Sequence, residues 1–305
     1  MLYLRTLIDL LETLERQAPE GAGTLPVASE RNGGDLARIF VDRGQLSWLW
    51  CRLGTSSLAD FLSGSGSLSA EQISELARES VRDGEPISAK LARRAGLDDK
   101  QLREALLSFT ADALTHVVKA LADGRAHIKP FEPSPAGAFQ LRYSFAASEI
   151  LPRVLAACPL LGLGLEPLPQ VFQLAGPQME AALCFYELDP EASTAVLVGQ
   201  AGQRSLSLSM TAMRELYQHG KRVLRAPALD GSGQPYAAMV RGLSQGWFCL
   251  QEAPFFTLYR TASPSDYGTL LSLLRRERRS AEPGEAPRQG KALLEPERQR
   301  TLAAS

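Results

Sequence analysis

The residues that could do chemistry are few and scattered. Gly242-Leu243-Ser244-Gln245-Gly246 spells G-x-S-x-G, the strand-to-helix turn that lifts a nucleophilic serine above a sheet. That use needs a helix after the serine and, in such hydrolases, a catalytic histidine later in the chain. Here Trp247-Phe248-Cys249-Leu250-Gln251 reads as a strand, and His116, His127 and His219 all precede Ser244. The pentapeptide is therefore expected to be a hairpin turn. Gly162-Leu163-Gly164 is half of a dinucleotide fingerprint, without the third glycine or a βαβ frame. Gly220-Lys221 is followed by Arg222, where a phosphate loop carries Ser or Thr for Mg²⁺. No H-E-x-x-H occurs, and three dispersed histidines make a poor metal set; His116, beside Val117 and Val118, reads as a core or boundary residue. Asp42-Arg43 falls at a turn and Asp98-Asp99 at a helix start, where Asp bonds the local backbone. Cys51, Cys158, Cys184 and Cys249 contain no C-x-x-C and are expected as small apolar residues in a reducing cytosol. No cofactor and no metal are implied. The chain reads as a non-enzyme, with an enzyme of unrecognised type as an alternative.

Binding chemistry is better represented. Leu46, Trp48 and Trp50 share one face of a strand by simple alternation. Each indole buries ~150–250 Å², so the face suits either a core or an interface. The amphipathic helix Leu4–Leu14 is the expected cover, and Trp50, near the strand end, is the candidate for a rim contact with a partner. Phe255, Phe256 and Tyr259 pose the same question later in the chain. Arg275 and Arg276, with Arg278 and Arg279, form a basic helix end broken by Glu277. Such a run complements a helix dipole and could touch an acidic partner. It does not make a nucleic-acid surface, because Lys plus Arg is 33 against 34 Asp plus Glu. The candidate partner-binding residues are thus Trp50, Phe255, Phe256, Tyr259, Arg275 and Arg276.

These groups must be positioned by ordinary elements. The chain has 305 residues, 45% of them hydrophobic and 22% charged, which fits a globular protein of two domains and a tail. No apolar run is expected to reach the ~20 residues of a membrane span, and the N-terminus reads as a helix and not a signal peptide. Residues 23–29 are expected as a strand. A loop follows over 30–35, then a hairpin, Ala37 to Trp50, turning at Asp42-Arg43-Gly44 with Gly44 available for φ > 0. Residues 54–68 read as a short helix and a Gly/Ser loop. Helices follow, one capped by Ser69 with Gln72, a short one around Leu91, and a long one capped by Asp98 with Gln101 and ended at Gly124. The strand RAHIKPFEP and a helix over 148–161, bent or started at Pro152, complete the first half. Pro and Gly cluster over 159–177 and mark a boundary. Beyond it the expected order is helix (179–188), strands (193–200 and 204–209), helix (210–226), three strands and a closing helix. The fold class is α+β, an N-terminal mixed strand and helical-bundle domain followed by an α-β-β-α-β-β-β-α sandwich of roadblock/profilin type.

The first half, residues 1–160, resembles the bacterial PatA-type N-terminal domain of unknown function. The likeness rests on the leucine-rich first helix, on ARIFVDRGQLSWLW, and on the helical stretch LADFLSGSGSLSAEQISELARESVRDGEPISAKLARRAGLDDKQLREALLSFTADALTHVVKAL. That stretch is also similar to the N-terminal domain of type II secretion and pilus ATPases. Trp50 stands where the family often has a small residue, and the loop before Ile39 is longer than usual. Residues 177–279 resemble a roadblock (dynein light-chain) domain through the order of elements and FFTLYRTASPSDYGTLLSLLRR. Residues 161–176 would be a linker and 280–305 a disordered tail. The resemblance implies a cytoplasmic bacterial signalling scaffold. It would form a homodimer, dock a Ras-like small GTPase by holding its switch regions, or link to a signalling, pilus or motility apparatus. No nucleic acid and no membrane insertion are implied. A purely structural adaptor without a GTPase is the alternative.

Overall fold

Leu4, Leu7, Leu11 and Leu14 fall on one side of α1 (Leu2–Gln17) and are almost completely buried. They close over a first antiparallel sheet. The computed structural model describes residues 2–17, 19, 21–54, 69–83, 90–91, 93–94, 96, 98–134, 143–157, 168–189, 194–225, 239–242, 245–252 and 254–261. Within the first sheet, β1 (Ala22–Ser29) is central and β2 (Asp35–Asp42) pairs one side of it. β4 (Ala126–Ile128) and β5 (Glu132–Ser134) pair its other side, and β3 (Gln45–Cys51) is the outer strand beyond β2. Ala37, Ile39 and Val41 are buried while Arg38 is exposed, the period-2 pattern expected of β2.

The β2–β3 turn is tighter than a generic loop. Arg43 and Gly44 both have positive φ, +49° and +72°, between the paired residues Asp42 and Gln45. That is the two-residue geometry whose twist matches a hairpin. A bulge then follows. Phe40 pairs with Trp48 but Val41 pairs with Leu46, so Ser47 is the extra residue. The bulge corrects the simple alternation. Leu46 and Leu49 are buried, whereas Trp48 is half-buried and Trp50 exposed.

Helices cover this sheet. α2 (Ala70–Asp83) opens with the expected reciprocal Ser69–Gln72 capping box, and Asp98 with Gln101 does the same for α3 (Asp99–Ala122). Gly124, at φ +66°, follows the end of α3. Among the described residues α3 is the one helix long and apolar enough to cross a membrane by length and composition. More than half of that stretch is buried inside the fold, because α3 packs against both α1 and α4 (Ala147–Ala157). Pro152 lies inside α4 without ending it.

The second sheet has the order β7-β6-β10-β9-β8, all antiparallel. Its strands are β6 (Ala181–Asp189), β7 (Thr194–Ala201), β8 (Met239–Gly242), β9 (Gln245–Glu252) and β10 (Phe255–Arg260). Three expectations are corrected here. Residues 179–188 are not a helix; Ala181 to Phe185 are buried throughout as an inner strand, and such a run carries no period-2 signal to tell it from a helix. Residues 204–209 are not a strand: Ser148 of α4 takes their backbone bonds, its Oγ donating to the Leu206 carbonyl (2.6 Å) and accepting from the Leu208 amide (2.8 Å). Residues 170–176, placed in a linker, form the short helix α5 (Gln170–Ala175) and the start of a 3₁₀ turn (Gly176–Gln178), with Val171, Phe172 and Ala175 buried. Helix α6 (Met210–Arg225) agrees with expectation. Residues 55–68, 161–167 and 262–305, with the closing helix and tail expected there, lie outside the described residues.

The chain is thus a mixed α+β protein with two antiparallel sheets. The buried side chains of both halves join in one continuous hydrophobic cluster. α4 is shared. It packs on α3 and also along β7, the outer strand of the second sheet.

Candidate functional site

The elements α1 and α6 come from opposite halves of the chain and meet at the junction. Ser209 caps α6, its Oγ accepting from the Ala212 amide (3.0 Å). A second acceptor arrives from α1: the Glu15 carboxylate takes the Met210 amide, and Thr211 also donates to it. The orphan N–H groups of α6 are therefore satisfied by a residue nearly two hundred positions away. Burial pushes the Glu15 carboxyl above its usual range, opposed by those two amides. One helical turn further, Arg214 pairs with Glu12.

These contacts separate two clefts. The polar one, about 730 Å³, is lined by Glu12, Arg16, Arg43, Ser207, Thr211 and Arg214 among others. The apolar one, about 600 Å³, lies between Leu4 and Ile8 of α1 and Met210 and Met213 of α6, with Phe185 and Leu197 of the sheet as its floor. Both volumes fall in the roughly 300–1,000 Å³ range of small-molecule sites.

Behind the apolar cleft, α6 is held on the sheet by an aromatic cluster. Tyr217 sits 5.6 Å from Phe185 and 5.2 Å, edge-on, from Phe256. Gly220 permits this approach, since a Cβ there would stand 2.6 Å from Phe256. Beside the cluster is a buried polar network. Glu187 accepts from Tyr217 (2.6 Å) and Lys221 (2.6 Å); Lys221 also donates to Gln251 (2.8 Å), whose amide donates back to Glu187 (2.7 Å). Burial pushes the Glu187 carboxyl up, but the bonds from Lys221, Tyr217 and Gln251 outweigh it and hold the group below its usual range. All these donors and acceptors are turned on one another.

The sequence candidates are placed as follows. Phe255, Phe256 and Tyr259 are buried in the second sheet, which corrects their assignment as partner-binding residues. In an inner strand, β10, both faces are covered, so large aromatics there fill the core. Trp50 is 38% exposed, with the Arg52 guanidinium 5.0 Å over its ring. Trp48 lies 5.7 Å from Phe109 of α3. Arg275 and Arg276 lie outside the described residues. Gly242 pairs with Gln245 across the β8–β9 hairpin, so the G-x-S-x-G sequence is followed by a strand, as expected; Ser244 lies outside the described residues. Gly220-Lys221-Arg222 is inside α6. Cys51, Cys184 and Cys249 are free thiols, and burial pushes Cys249 up to about 12, far from a reactive thiolate. Among the described residues no three His, Cys, Asp or Glu side chains converge on a metal-sized site.

The junction was not legible in the sequence. Glu15 and Met210 carry no local pattern that couples them; α1 reads as a plain amphipathic helix and Ser209 as a plain cap. The fold and its junction clefts define a class, an α+β protein with two clefts where its two sheet units meet. No family model and no curated protein matches the chain.

Proposed function

We propose that this chain is a non-enzymatic cytosolic scaffold that acts by binding protein partners, with its second sheet as a roadblock-like unit. The observation that carries the reading is the order of that unit. Two strands, the helix α6 and three strands follow one another in one antiparallel sheet, the order that the roadblock resemblance implies. The buried charged side chains add support. Glu187 is taken by Lys221, Glu149 by Arg103, Glu180 by Arg204 and Arg260, and Lys90 by Asp83. Charges committed to internal pairs serve structure and are not poised for proton transfer. On this reading the second unit dimerises or docks a Ras-like GTPase, and the first unit, of PatA type, couples it to a signalling or motility apparatus. Trp50, an exposed indole, is its candidate anchor.

The test is an affinity capture with the full chain from its host's lysate, run with GTP and GDP analogues and read by mass spectrometry. A Ras-like GTPase enriched in one nucleotide state is the expected result. Recovery without any GTPase retires the GTPase part of the reading. Light scattering on the full chain addresses the dimer. Residues 165–280 alone are not suitable, because β7 and α6 share their core with α1 and α4.

A further inference from the structure

We draw no further inference here: the strongest candidate, the polar cleft where α1 and α6 meet, carries nothing because its own carboxylates already fill it, Glu12 on Arg214 and Glu15 on the first amides of α6, and nothing in the structure shows what the exposed Arg16 and Arg43 of its lining would take.

Discussion

Replacing Glu187 by Gln keeps the shape of the buried network and removes its negative charge. Lys221, whose side chain is 12% exposed, is then left with an ammonium among neutral groups: Gln251, the introduced amide, and the Phe256 ring 5.8 Å away. Removing one partner of a buried pair costs about 3–5 kcal/mol, mostly as the uncompensated charge left behind. Because Lys221 keeps its Gln251 acceptor, the lower end, about 3 kcal/mol, is expected. Glu187→Gln/Lys221→Met removes both charges and is expected to recover most of that loss, giving a coupling of at least about 2 kcal/mol in a double-mutant cycle. Urea unfolding followed by tryptophan fluorescence reads all four proteins. The direction of the Glu187 shift adds a pH dependence. A carboxyl held below its unfolded value contributes stability that is present above the unfolded value and is lost as pH falls through the folded one. The gap between wild type and Glu187→Gln is therefore full at pH 7 and closes below the ordinary glutamate range. A cost under about 1 kcal/mol at pH 7, or a double variant as unstable as the sum of the singles, refutes the assignment of this network as a structural clamp.

Further outcomes follow from local geometry. Gly220→Ala places a methyl 2.6 Å from Phe256 and 3.0 Å from Leu258. It is expected to destabilise by about 1–3 kcal/mol even though Ala favours a helix by about 1 kcal/mol, so a raised melting temperature contradicts the packing described. Arg43→Asn puts a residue tolerant of positive φ at +49° in the β2–β3 turn and is expected to stabilise by about 0.5–1 kcal/mol, measured by thermal unfolding. Trp48→Ala removes a half-buried ring packed on Phe109 and is expected to cost about 2 kcal/mol, whereas Trp50→Ala costs less than about 1 kcal/mol. Equal costs in chemical unfolding would contradict the unequal burial of the two indoles.

Much of the framework was legible from local rules. Helix α1 announces itself by leucines at helical spacing, and the Ser69–Gln72 and Asp98–Gln101 boxes mark two helix starts because capping needs only residues three apart. The Asp42-Arg43-Gly44 turn is equally local. The strand reading failed where burial is two-sided: an inner strand such as β6 has no polar face, so nothing in its pattern separates it from a buried helix. The face expected to carry Leu46, Trp48 and Trp50 was misjudged for another reason. A single inserted residue, Ser47, takes Leu46 off the face that the two tryptophans share, and no residue type there signals a bulge.

The sequence by itself determined the helix caps, the tight hairpin, the α+β class and the apolar faces that had to be covered, since each depends on residues within one or two turns of one another. Only the tertiary structure decided what covers them. It brings Glu15 of the first helix to the N-terminus of α6, places α4 along the outer strand β7, and turns Phe255, Phe256 and Tyr259 inward. Such choices depend on which distant surfaces fit, and a solvated helix end accepts any carboxylate that packing delivers to it.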